Sequence, residues 1–132
     1  MKAPSECVYG KIAGEAYRLA RDGMPPAQAW DKAVVGKDKG CPRAAFLGLC
    51  EAGYLKDIPT GSYQKSGSKN ARYATVAANY LLAHRIIAND VTPSALWKVA
   101  LTNEVNPPET YNSQMHIVLT LWEAGVIQSP PR

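Results

Sequence analysis

The residues best equipped for chemistry in this 132-residue chain are cations gathered where acids are missing. Between Asp57 and Asp90 there is no Asp or Glu, yet Lys65, Lys69, Arg72 and Arg85 fall inside that interval. Asn70 stands next to Lys69 at what reads as a helix start, and Tyr63 and Tyr73 lie close by in sequence. Backbone N–H groups at a helix start attract an anion. The helix dipole alone favours acids in that first turn. Cations placed against this preference point to a phosphate or other polyanion, and the two tyrosines are available to stack on a base. A solvated basic loop without a ligand would have the same composition. The net charge of +4 is also modest for a dedicated DNA binder.

Two further groups are candidates for catalysis. Cys41 sits between Lys39 and Arg43 at or just before a helix start, where dipole and cations favour the thiolate. The plainer reading is a small residue of the N-cap region placed before Pro42, and no Cys-x-x-Cys motif accompanies it. Glu51 and Glu123 each stand two residues before a glycine in similar segments. Two such carboxylates could flank a substrate as acid and base, or make matched structural hydrogen bonds. Cys50 reads as core. His84 and His116 are the two histidines, and no helix-spaced ligand pair joins them. The sequence therefore predicts no metal and no cofactor.

The elements that must position these residues are helices. Nineteen Ala and ten Leu lead the apolar set, and both residues favour helix. Tyr9, Ile12, Ala13, Ala16, Leu19 and Ala20 form one helical stripe, which Gly23 stops. Pro25-Pro26 opens a second helix carrying Ala29, Trp30 and Ala33, with Gly36 at its end. Pro42 opens a third, with Ala45, Phe46, Leu49 and Cys50 inward and Gly53 as its close. Residues 54–69 read as loop. Asn70 is the expected N-cap of a fourth helix, with Tyr73, Val76, Ala77, Tyr80, Leu81, His84 and Ile87 on its apolar stripe. Thr92-Pro93 caps and opens a fifth with Leu96, Trp97 and Ala100 inward. Asn112 or Ser113 caps a sixth, which carries Met115, Val118, Leu119 and Trp122 and ends at Gly125. No alternating strand pattern is evident.

The helices repeat. Phe46–Leu55 aligns with Val118–Ile127 at an offset of 72, with five of ten positions identical. Pro26, Trp30 and Ala33 match Pro93, Trp97 and Ala100 at offset 67. Tyr9, Ile12 and Ala13 match Tyr73, Val76 and Ala77 at offset 64. Offsets that drift by a few residues are what loop insertions produce. The pattern predicts an all-α protein of about six helices, arranged as two similar three-helix halves by internal duplication. The expected limits are one domain over 1–132, with halves near 5–57 and 70–127 joined by a basic Ser/Gly loop, 58–69.

The blocks Gly40-Cys-Pro-Arg-Ala-Ala-Phe-Leu-Gly-Leu-Cys-Glu-Ala-Gly53, Ile58-Pro-Thr-Gly-Ser-Tyr63, Ser68-Lys-Asn70 with Tyr73-Ala74, and Asn112-Ser-Gln-Met115 with Leu121-Trp-Glu-Ala-Gly125 resemble an uncharacterised bacterial family, a domain of unknown function. The resemblance implies a bacterial or phage-encoded cytosolic protein and carries no assigned activity. Leu-x-x-Glu-Ala-Gly followed by an apolar pair and a basic loop is also similar, locally, to the recognition helix and wing start of winged-helix DNA-binding proteins.

The length allows roughly two-thirds of the unfolded surface to be buried without staples. No apolar run approaches the ~20 residues of a membrane span, so no membrane partner is expected. Three cysteines are a sparse, odd set that fits a reducing, cytoplasmic setting. The function expected is non-enzymatic binding of nucleic acid or a phosphorylated small molecule such as a nucleotide, through Tyr63, Lys65, Lys69, Asn70, Arg72 and Tyr73. The alternatives are a protein–protein interaction or regulatory protein, and a small enzyme using Cys41 or the Glu51 and Glu123 pair.

Overall fold

The computed structural model describes residues 8–34, 40–58, 60–61, 69–84, 92–101 and 114–130. Six helices follow in chain order: α1 (Val8–Arg21), α2 (Pro26–Ala33), α3 (Gly40–Ala52), α4 (Lys69–His84), α5 (Pro93–Ala100) and α6 (Gln114–Glu123). Among the described residues there is no strand beyond one isolated antiparallel bridge, Leu55 with Ile127. The protein is all-α.

Local chemistry sets the helix ends. Gly23, Gly53 and Gly125 have φ of +114°, +86° and +74°, a region L-residues avoid, so glycine ends α1, α3 and α6. Thr92 caps α5, its side-chain oxygen accepting from the Ala95 amide at 3.1 Å. Pro26 begins α2, where a missing N–H removes nothing the helix needs. Other ends differ from the sequence reading. α2 stops at Ala33 as Val34 turns extended (φ −77°, ψ 120°), and Gly36 lies outside the described residues. α3 starts at Gly40, which puts Pro42 inside its first turn. α4 starts at Lys69, so Asn70 is helical rather than the N-cap. Ile87, Asn112 and Ser113 are outside the described residues.

The core is built on α3 and α6. Residues 45–50 of α3 are all buried, as are Met115 and residues 117–121 of α6. Such helices are apolar nearly all round because they are covered on most sides. α1 packs on α2 and α6, and α4 packs on α3, α5 and α6. The first helix of each half of the chain thus lies on the last helix of the other. Trp30 is fully buried and stacks on Phe46 at 5.4 Å between centroids. Trp97 meets the edge of Tyr73 at 5.1 Å and 85°. Edge and offset contacts of this kind add to what burial alone contributes.

α3 and α4 approach each other closely. A Cβ built on Gly48 would overlap the Ala71 side chain and lie 2.7 Å from the Ala71 Cα. This explains why the inward face of α4 is Tyr73, Ala74, Ala77, Ala78 and Leu81: small residues let the backbones come together. Val76, expected inward, is 38% exposed instead. The periodic apolar set of α4 fits more than one rotation of the helix, and the alanine face wins through this close contact.

α3 and α6 end in the same way. The Gly53 amide donates to Cys50 O and the Tyr54 amide to Leu49 O; the Gly125 amide donates to Trp122 O and the Val126 amide to Leu121 O. The two exit segments then pair. The Lys56 amide donates to Val126 O at 2.9 Å and the Gln128 amide to Tyr54 O at 2.8 Å. Every residue in this set stands 72 positions from its counterpart. Instead of entering a wing hairpin, the segments that follow the Glu-Ala-Gly sequences bond to each other. The Gln128 side chain also donates to Gly53 O at 3.2 Å, and the Tyr17 hydroxyl of α1 donates to Lys56 O at 2.8 Å.

Candidate functional site

α4 carries Lys69, Asn70 and Arg72 in its first turn and no acid there. Arg72 is exposed, with its guanidinium 5.8 Å from the Tyr73 ring centroid. Tyr73 itself is 4% exposed and lies edge-on to Trp97, so its ring belongs to the core and offers no open face to a base. The side chains of Lys69 and Asn70 lie outside the described residues, as do Tyr63, Lys65 and Arg85 altogether. The structure therefore places Arg72 and the backbone start of α4 together; the rest of the basic set joins them by sequence.

The other candidates are separate from this helix start. Cys41 is the second residue of α3, and its side chain is outside those described. Its neighbour Arg43 donates to Asp31 of α2, at 3.0 Å through Nε. Glu51 and Glu123 are both half-buried, in the last turns of α3 and α6. Cys50 is buried, and burial pushes its thiol well up from the ordinary value. That suits packing and opposes thiolate chemistry. Among the described residues no group of three or more His, Cys, Asp or Glu could hold a metal ion.

Two features are not among those the sequence predicts. The first is a cleft of about 340 Å³, lined by Ala20, Arg21, Met24, Pro26, Asp57 and Ile58 among others. It forms where the α1–α2 turn meets the segment leaving α3. Asp57 takes a left-handed conformation there, with φ +64°, and no repeated residue pattern marks it. The second is a ring pair on α4: His84 lies against Tyr80, centroids 4.3 Å apart and planes 33° apart. The four-residue spacing of Tyr80 and His84 is legible, but the apolar periodicity puts both on the inner stripe; in the structure His84 is exposed and Tyr80 half-buried.

Burial acts on three other titratable groups. It pushes Tyr17 and Tyr54 up, Asp57 adding to the effect on Tyr17 and a hydrogen bond with Asn79 opposing it on Tyr54. It pushes His116 down. No helix among the described residues is long and apolar enough to cross a membrane.

Among the described residues the chain is an all-α protein of six helices, three of them closed by glycine. The chain belongs to the family of unknown function DUF6979, which matches residues 6–128. No curated protein and no solved structure matches it.

Proposed function

We propose that the protein is a non-enzymatic module that binds nucleic acid or a nucleotide at the start of α4. The observation carrying this is a helix start that holds Lys69 and Arg72 and no acid, with Arg72 exposed. The backbone N–H groups and the dipole of α4 add to the same field. The absence of Asp and Glu from 58 through 89 leaves these cations without acidic neighbours in sequence. On the family likeness and the sparse cysteines, the reading places the protein in the cytosol of a bacterium or as a phage product.

The same reading takes the chain as a duplicated three-helix unit. Support comes from the bridge between Leu55 and Ile127, residues that the repeat itself equates, and from the equivalent hydrogen bonds that end α3 and α6.

Replacing Lys69 and Arg72 together with Glu tests the anion site. Affinity for oligonucleotides or nucleotides falls at least tenfold, about 1.4 kcal/mol, while stability changes by no more than ~0.5 kcal/mol per surface substitution. Wild-type binding weakens steeply with salt as counterions are released. Absence of any binding to DNA, RNA or nucleotides at low salt, where surface charge acts most strongly, refutes the proposal and leaves a protein partner as the better reading.

A further inference from the structure

One row on α4 is explained by packing only in part: Tyr80 leans on the core and the other three members are exposed. Arg72, Val76, Tyr80 and His84 follow at four-residue steps, so each neighbours the next one turn on and the row winds about 40° per step around the helix, about 120° from end to end. Arg72, Val76 and His84 are exposed and Tyr80 is half-buried. Val76 is the one large hydrophobic residue exposed among the described residues. At the far end, His84 Nδ1 lies 3.1 Å from Tyr80 O while the two rings stack. Hydrogen bond and ring contact together fix the imidazole as a platform on an exposed residue. From Arg72 to His84 the stripe runs about 18 Å at 1.5 Å per residue. That is room for about five nucleotides at the ~3.4 Å rise of a stacked strand.

The stripe combines two demands. Its cationic end and the acid-free interval around it call for a polyanion. Its apolar and aromatic remainder calls for flat faces, which phosphate lacks and which a duplex keeps inside its stack. An acidic peptide meets the first demand and has no use for the second. A single strand meets both, because an unpaired base stacks on His as it does on Tyr or Trp.

We propose that the Arg72–Val76–Tyr80–His84 stripe of α4 is a track for single-stranded nucleic acid, with phosphates at the Arg72 end and a base stacked on the His84–Tyr80 pair. This rests on the anion-binding reading above and names its ligand.

The test is fluorescence anisotropy with a labelled ten-residue oligothymidine at low salt, on the wild type, His84→Ala and His84→Trp. Circular dichroism checks that each variant is folded. His84→Ala weakens strand binding at least fivefold and leaves binding of a mononucleotide at the helix start unchanged. His84→Trp restores strand binding, since it keeps a stacking ring and removes the imidazole, and its indole emission is quenched by the strand. If His84→Ala binds the strand as the wild type does, if His84→Trp is no better than His84→Ala, or if a duplex binds as tightly as the single strand, the track is wrong while the anion site stands. If the wild type binds neither strand nor nucleotide, both are wrong.

Discussion

One substitution, made at two glycines, tests the geometry on which the helix packing rests. In a helix interior, alanine is more favourable than glycine by about 0.5–1 kcal/mol, because glycine loses more backbone freedom on folding. Gly14 lies exposed in α1, and an added Cβ would meet nothing within 4 Å. Gly14→Ala therefore stabilises by about that amount. At Gly48 the same carbon would sit 2.7 Å from the Ala71 Cα and 3.3 Å from its carbonyl oxygen. Carbon atoms are at rest about 3.5–4.0 Å apart, so α3 and α4 must separate by roughly an ångström. Ala71 has no rotamer that relieves the overlap. Overpacking of this kind costs about 1–3 kcal/mol, and after the helix gain the net loss is about 1–2 kcal/mol. Urea unfolding at 25 °C, followed by far-UV circular dichroism, reads both. With slopes of about 1–3 kcal/mol per molar, the midpoint moves up for Gly14→Ala and down by roughly half a molar or more for Gly48→Ala. Should Gly48→Ala stabilise as much as Gly14→Ala, the close approach of α3 and α4 is not real, and the reason given for the outward turn of Val76 goes with it.

Two further outcomes are expected. Trp30→Ala and Trp97→Ala each cost about 3–5 kcal/mol, a fall in Tm of roughly 10–20 °C, because both rings are buried against a second aromatic; a loss under ~1 kcal/mol at either puts that ring on the surface. Burial holds the His116 imidazole below its ordinary value of 6.5, so near and below that pH the unfolded chain takes up a proton that the folded chain resists. The stability present above about pH 6.5 is then lost as the solution is acidified through it. His116→Gln flattens this part of the stability–pH curve, and an unchanged curve would show that His116 does not govern it.

Helix number and type were legible because most of the helices announce at least one end in their own residues, although the end of α2 and the starts of α3 and α4 fall elsewhere than expected. Pro26, Gly23, Gly53, Thr92 and Gly125 act within one turn, so local sequence suffices to place them. The rotation of α4 was not legible. Val76 and Ala77 are both apolar and adjacent, and what chooses between them is Gly48 on another helix, more than twenty positions away in sequence. For the same reason Tyr73 read as a stacking residue: its sequence neighbours are cations, whereas its spatial neighbour is Trp97. The cleft beside Asp57 arises where the α1–α2 turn meets the segment leaving α3, and no linear pattern encodes such a meeting. Of the cationic start of α4, the helix start near Lys69 and the exposure of Arg72 were legible, since both are local; Asn70, expected as the N-cap, is helical.

The short pairing of Leu55 with Ile127 also bears on the order in which the chain folds. It joins residues 72 positions apart, and closing a loop of that length costs about 4 kcal/mol in chain entropy beyond a constant, by the logarithmic rule. Two backbone hydrogen bonds, at about 1 kcal/mol net each, do not offset this. The pairing is therefore a late event, formed only after α3 and α6 have met and brought their ends together. It acts as a latch on an assembled core, since the pairing exists only while the segment leaving α3 and the segment leaving α6 are both in place.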